Sequence, residues 1–177
     1  MKKKLIFFLL AALLLAPWPV AYAYDSTLAV GAKEIQVEAA EPSAQPTWNV
    51  FQKAIGGVST PGDLFYIDAS NDPNDMSVSL HFTNTHELTG SYRYMILEVG
   101  IYRQDSTSQW QKASGTDGEL INDTFITLSN GQVSFRLPGY AKYKVTIDNG
   151  CFYCHGGGPD GSSLSPQFYL DVVQQAS

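Results

Sequence analysis

The sequence predicts an all-β fold, an antiparallel β-sandwich of seven or eight strands. Apolar residues recur at every second position in several short runs, which is the period of a half-buried strand. Turn sequences rich in Gly, Asn and Pro separate these runs, and no long stretch follows the helical period of 3.6 residues. Short strands with frequent turns are typical of a sandwich.

The first 23 residues have the organisation of a cleaved signal peptide. Lys2 to Lys4 give a positive start, and Leu5 to Leu15 form an apolar run that is too short to span a bilayer comfortably. Residues 21–23, Ala-Tyr-Ala, match the small-x-small cleavage rule, so the mature chain is predicted to begin at Tyr24. The alternative is a retained membrane anchor. We expect a secreted protein (periplasmic, cell-surface or extracellular) that has no membrane association after cleavage.

The mature chain is acidic and has the length of one domain. Removing 23 of the 177 residues leaves about 154, which is enough to bury a sizeable core. Three of the 11 basic side chains are lost with the signal peptide, so 8 remain against 17 acidic ones, a net charge of −9. Such a surface repels nucleic acid and anionic lipid, so neither is expected as a partner.

Residues 24–46 are predicted to form a strand-like N-terminal arm and a Pro-rich linker. Small or polar residues alternate with apolar ones at Leu28, Val30, Ala32, Ile35, Val37 and Ala39. The linker follows at residues 41–46. The arm is either mobile, packed as a first strand on its own domain, or paired with a sheet edge of a neighbouring copy. The sandwich domain then spans residues 47–177.

The strands of this domain are predicted from the alternating runs in residues 76–82, 93–103, 133–137, 143–147 and 168–172. Turns are predicted at residues 129–131, 137–139, 148–150 and 156–161. The alternation gives the faces predicted to form the core: Val78, Leu80, Phe82, Met95, Leu97, Val99, Phe135, Val145 and Ile147.

Residues 130–147 contain a turn, a strand, Pro138-Gly139 and a Tyr-x-Val strand that begins at Tyr143. This passage resembles secreted immunoglobulin-like and transthyretin-like sandwiches. The resemblance implies the fold and no activity, because such sandwiches host many unrelated functions.

Cys151-Phe152-Tyr153-Cys154-His155 is the segment with a chemical signature. It holds both cysteines of the chain and one of its three histidines. Cys-x-x-Cys-His is the attachment signature of c-type haem: two thiols add to the porphyrin vinyl groups and the imidazole becomes an axial ligand. The motif and the glycines at 156–158 resemble c-type cytochromes. The resemblance implies one haem c bound by Cys151, Cys154 and His155, with His155 as the metal ligand, and electron transfer with a redox partner protein.

The chain departs from c-type cytochromes around this motif. In class I cytochromes the motif lies near the start of a helical domain, with a Met ligand downstream. Here 22 residues follow His155, none of them Met or His, and the motif is predicted to lie in a C-terminal β-hairpin. A sixth ligand would have to be Met76, Met95, His81 or His86, or be missing.

Other interpretations of the two cysteines stay open. A Cys151–Cys154 disulfide requires a turn, because residues three apart in a regular strand face opposite sides. A metal site made from Cys151, Cys154 and His155 lacks the fourth ligand of structural zinc. Free thiols are the third possibility. The rival function is a haem-free extracellular module that is structural, fibre-forming through neighbouring copies, or ligand-binding.

An acidic loop contains Asp68, Asp72 and Asp75 together with Asn71 and Asn74. Oxygen ligands at such spacing can bind calcium, but Asp-Pro and Asn-Asp pairs are common turn formers, so a solvated loop is expected rather than a calcium site. The sequence contains neither a nucleophile elbow nor a phosphate-binding Gly loop before a helix. We therefore expect a protein that is not an enzyme.

Overall fold

The computed structural model describes residues 23–27, 35–49, 55–155 and 164–175. These residues form thirteen strands and one short helix: β1 (Ala23–Thr27), β2 (Gln36–Ala39), β3 (Thr47–Asn49), β4 (Ile55–Thr60), β5 (Gly62–Asp68), β6 (Met76–Phe82), α1 (Thr85–Ser91), β7 (Tyr92–Gln104), β8 (Trp110–Lys112), β9 (Leu120–Ile121), β10 (Phe125–Thr127), β11 (Gln132–Leu137), β12 (Lys142–Cys154) and β13 (Phe168–Gln174). The predicted all-β class is confirmed, with more strands than the predicted seven or eight. The predicted signal peptide, apart from Ala23, and the predicted turn at 156–161 lie outside the described residues.

The strands form two sheets. The smaller sheet has the order β1-β13-β6-β11-β9, and all of its pairs are antiparallel except β1 with β13. In the larger sheet the central order is β10-β7-β12-β4-β3, while β5 also pairs with β12, β2 with β5, and β8 with β7. The long strand β12 is the centre of this sheet, because β7 lines one side of it and β5 and β4 share the other.

The core consists of the inward faces of both sheets. All nine residues predicted for it are buried, which confirms the register inferred from alternation. Burial alternates strictly along β6 and β11, as expected for strands with one face in the core. Phe65, Ile67, Phe168 and Leu170 complete the same apolar cluster.

The predicted turn at residues 148–150 is wrong, because β12 continues through it to Cys154. The pairing of β12 with β7 shifts register between Ile147 and Asn149, so the Asn-Gly sequence marks a bulge. A Cβ atom on Gly150 would lie 2.5 Å from Leu97 Cδ2 and 2.9 Å from the Ile96 carbonyl oxygen. Glycine here permits a close approach of two strands.

The arm is paired with its own chain where the structure describes it. Strand β1 lies parallel to β13, and β2 is antiparallel to β5. Ile35, Val37 and Ala40 are buried in or against the core. This arrangement agrees with the alternative in which the arm packs on its own domain.

Candidate functional site: the Cys-x-x-Cys-His segment

Residues 151–154 form the last part of β12, between β7 and β4. Cys151 lies opposite Ile96 of β7 and Gly57 of β4. The predicted C-terminal hairpin is wrong, because β12 belongs to the larger sheet and β13 to the smaller one. The segment is therefore the start of a crossover between the two sheets.

The two thiols lie on opposite faces of the strand. Cys151 is half-buried and Tyr153 is exposed, whereas Phe152 and Cys154 are buried, with Cys154 only 7% exposed. This alternation is that of a regular strand. The side chain of Cys151 is therefore on the outer face and that of Cys154 is in the core.

Each thiol has a tyrosine neighbour. On the outer face, Cys151 Sγ lies 3.5 Å from Tyr94 Oη, and this hydrogen bond raises the pKa of Tyr94. In the core, burial raises the pKa of Tyr92 to about 12, and the neighbouring Cys154 thiol adds to the shift. The Tyr92 hydroxyl donates a hydrogen bond to the Leu164 carbonyl oxygen at 2.8 Å.

A disulfide between Cys151 and Cys154 does not agree with this structure, in which both cysteines are free. Three residues of extended strand separate Cα atoms by about 10 Å, and a disulfide needs them within roughly 7 Å. The disulfide alternative needs a turn at this point, and pairing with β7 and β4 keeps the segment extended.

His155 follows the strand and is exposed. Its backbone N–H donates to the Ser91 carbonyl oxygen at 3.3 Å, and its Nε2 lies 3.3 Å from the Thr89 carbonyl oxygen. Both partners belong to α1, so the imidazole lies against this helix.

The three side chains, as folded, do not fit one haem c. Covalent attachment requires both thiols and the imidazole to face one porphyrin, but Cys154 points into the core and Cys151 away from it. A fit requires residues 152–154 to leave β12 and form a turn with His155.

The four candidate sixth ligands are in different environments. Met76 and Met95 are fully buried apolar residues, and Met95 lies opposite Phe152 in the sheet. His81 is half-buried on β6, with its ring 6.1 Å from that of Tyr169. His86 is exposed on α1, the helix that His155 contacts. Among the four candidates, His86 is the one on the helix whose carbonyl oxygens His155 contacts.

The acidic loop forms turns. Asp68 Oδ1 accepts hydrogen bonds from Ser70 N and Oγ, and Asp72 Oδ1 accepts from Asn74 N at 2.9 Å. Asp75 pairs with Arg136 at 2.8 Å. Within the described part of the chain, no three His, Cys, Asp or Glu side chains gather as metal ligands.

A second feature, which the sequence did not indicate, is a polar cleft of about 560 Å³ at the other end of β7 and β12. We call it the polar cleft; Arg103, Lys112, Glu119, Tyr140 and Lys142 are among its lining residues. These residues come from separate segments, so no local spacing marks the cleft. The signals available in the sequence were Glu119 after a glycine and Tyr140 after Pro-Gly, and neither is specific.

The chain matches no protein-family model and no curated protein. Over the residues that the structure describes, no helix has the length and apolar character needed to cross a membrane.

Proposed function

We propose that this is an exported β-sandwich protein that carries one haem c at Cys151, Cys154 and His155 and exchanges single electrons with a redox partner protein. The observation that carries the proposal is the Cys-x-x-Cys-His sequence, which uses both cysteines of a chain that begins with a predicted export signal. The spacing supplies two thiols for thioether bonds and an adjacent imidazole for axial ligation.

The proposal sets a condition on the fold. Residues 152–154 must leave β12 so that both thiols and His155 can face one side. Only the end of β12 has to open, because Tyr143 to Ile147 stay paired with both β7 and β5. Pairing with β4 covers just residues 151–153, and strand ends open at a lower free energy than strand centres.

The second candidate function is a haem-free binding module. The observation that favours it is the extended conformation of residues 151–154, in which Cys154 acts as a small core residue. In this case Cys151 stays a surface thiol beside Tyr94.

The absorption spectrum and intact mass of the denatured protein separate the two candidates. The full chain is produced in a host that matures c-type cytochromes, because attachment depends on that apparatus. The haem proposal expects sharp visible bands after reduction and a mass one haem above that of residues 24–177. His155→Ala is expected to keep the attached haem and to change its reduction potential. His86→Ala is the matched substitution of a histidine on the neighbouring helix.

A colourless protein whose two cysteines both react with a thiol reagent after unfolding would end the haem proposal and support the binding module. A Cys151→Ala/Cys154→Ala variant is the negative control for attachment. The same mass measurement tests the predicted start at Tyr24, because a mass that includes residues 1–23 would identify a retained anchor.

A further inference from the structure

We infer that the protein binds a neutral oligosaccharide in the polar cleft. The cleft, of about 560 Å³, adjoins a second depression of about 280 Å³, and Gln104 and Lys142 line both. These volumes lie within or near the range of small-molecule sites, and together they extend beyond what one sugar ring needs. The inference does not depend on haem.

The floor of the polar cleft holds a buried carboxylate with an unused acceptor. The side chain of Glu119 is 1% exposed, and its Oε2 accepts a hydrogen bond from Asp117 N at 3.1 Å. Among the described residues, none donates a hydrogen bond to its Oε1, and Arg103 Nη1 lies 3.7 Å away. A buried acceptor without a donor is costly. A ligand hydroxyl that enters the cleft supplies the missing donor.

The charges of the polar cleft favour a neutral ligand. Each of its three basic side chains is already paired: Arg103 with Asp117 and Glu119, Lys112 with Asp148 at 2.7 Å, and Lys142 with Asp68 at 2.7 Å. An anionic ligand would have to break these pairs on a protein of negative net charge. Hydroxyl groups can instead bond to the paired groups without displacing them.

Tyr140 presents an exposed ring at the rim of the polar cleft. It is 67% exposed and has a φ of 53°, a left-handed conformation that is unusual for a bulky residue. A hydrogen bond to Asp72 stabilises this backbone conformation: the Asp72 carbonyl oxygen accepts from Tyr140 N at 2.7 Å. Asp72 is itself fully buried and bonded to Asn74 and Gln174. Strain that the surroundings impose is concentrated at functional sites.

Further aromatic rings line the adjoining depression. Trp110 and Tyr66 have ring centroids 6.2 Å apart, and both contribute to its wall. Gln104, at the junction, offers an amide that donates and accepts hydrogen bonds. Sugars combine apolar C–H faces, which stack on aromatic rings, with hydroxyl edges that bind amides and carboxylates. Each of the two depressions thus offers both aromatic and polar groups, which suits a ligand of more than one sugar unit.

The polar cleft is remote from the Cys-x-x-Cys-His segment. Arg103 pairs with Tyr143 at one end of the two long strands, and Tyr92 pairs with Cys154 at the other. Eleven residues of strand separate these ends by roughly 35 Å. Changes in the cleft and changes in the motif can therefore be tested separately.

The test measures binding of mature full-length protein to cellohexaose, maltohexaose, xylohexaose and chitohexaose by calorimetry, with oligogalacturonate as the anionic probe. At least one neutral hexasaccharide is expected to bind with a Kd below 1 mM. Tyr140→Ala and Glu119→Gln are each expected to weaken that binding at least tenfold at an unchanged unfolding midpoint. Phe125→Ala, an exposed aromatic on β10 outside the cleft, is the matched control and should leave the Kd unchanged.

Three results would overturn the inference: no binding of any neutral probe, preference for oligogalacturonate, or equal weakening by Phe125→Ala. If Glu119→Gln lowers the unfolding midpoint, Tyr140→Ala alone decides, because its ring is exposed and its loss does not open the core.

Discussion

Cys154 illustrates which properties of a side chain can be predicted from sequence. The spacing of Cys151, Cys154 and His155 was evident from the sequence, and so was the chemistry that it permits. The directions in which these three side chains point depend on whether the segment is a strand or a turn. The segment is a strand because it pairs with residues 92–96, more than fifty positions earlier. The local sequence does not indicate this pairing.

The core residues test the predicted register directly. Leu97→Ala removes a fully buried side chain and is expected to lower the free energy of unfolding by roughly 2–5 kcal/mol through lost burial and a residual cavity. Leu120→Ala is the matched control, since Leu120 is 51% exposed. Urea unfolding of both variants gives the comparison. Equal midpoints for the two would mean that Leu97 does not face the core.

Asp148 and Lys112 give the stability a defined pH dependence. Burial alone would raise the pKa of Asp148, but hydrogen bonds from Lys112 and Thr146 and the charge of Lys112 bring it below its ordinary 3.8. The hydrogen bond to Asp148 also raises the pKa of Lys112 above 10.5. The pair therefore stabilises the fold at pH values between the ordinary pKa of Asp148, 3.8, and that of Lys112, 10.5. This contribution is lost as pH falls through the lowered pKa of Asp148.

Asp148→Asn is expected to destabilise the protein more at pH 7 than at pH 3, because pH 3 lies below the ordinary pKa of 3.8 and part of the contribution of the ion pair is already lost there. The measurement is the free energy of unfolding of both proteins at each pH. Because Asp68 and Asp105 also have lowered pKa values, only the difference between the two proteins is informative. An equal difference at both pH values would contradict a role for the ion pair.

Among the elements, β12 shows how local turn signals can mislead. Asp-Asn-Gly at 148–150 is a strong turn sequence, yet the strand runs through it because β7 continues alongside for its whole length. A bulge takes up the extra residue, and Gly150 lets the strands approach. The alternating runs of β6, β7 and β11 were predicted correctly because their signal is local.

Gly150→Ala is expected to destabilise β12, because the new methyl group meets the Ile96 carbonyl oxygen at 2.9 Å and the strands have to move apart. Gly90→Ala, in α1, is the matched control. In the described part of the chain, no atom beyond the helix itself lies within 4 Å of its methyl group, and alanine favours helix by about 1 kcal/mol over glycine. The midpoint of thermal unfolding should fall for Gly150→Ala and rise for Gly90→Ala. A neutral Gly150→Ala would show that β12 ends before this point.

For the whole molecule, the class and the core were predictable and the topology was not. Alternation reveals which face of a strand is buried, but not which distant strand lies beside it. The neighbours of β13 are β1 and β6, which are separated from each other by about fifty residues of chain. The polar cleft depends on the same long-range pairing, since Glu119 and Tyr140 line one cleft only when the strands around them have paired.

A chain truncated after residue 163 is expected to remain unfolded, because it lacks the strand between β1 and β6 and the buried Phe168 and Leu170. A chain truncated after Gln175, just beyond β13, should fold with an unchanged midpoint. Near-ultraviolet circular dichroism distinguishes a packed core from a collapsed chain. A native spectrum for the shorter chain would mean that the smaller sheet forms without β13.

The position of β13 between β1 and β6 also affects when the smaller sheet can form during synthesis. A ribosome synthesises β1 and β6 long before their shared neighbour, so both present open edges while the chain is still growing. Such open edges can pair with the wrong strand, and chaperones that bind unfolded chains prevent this. The smaller sheet can be completed only after β13 has been synthesised, more than eighty residues after β6, so it is the later of the two sheets to gain its last strand.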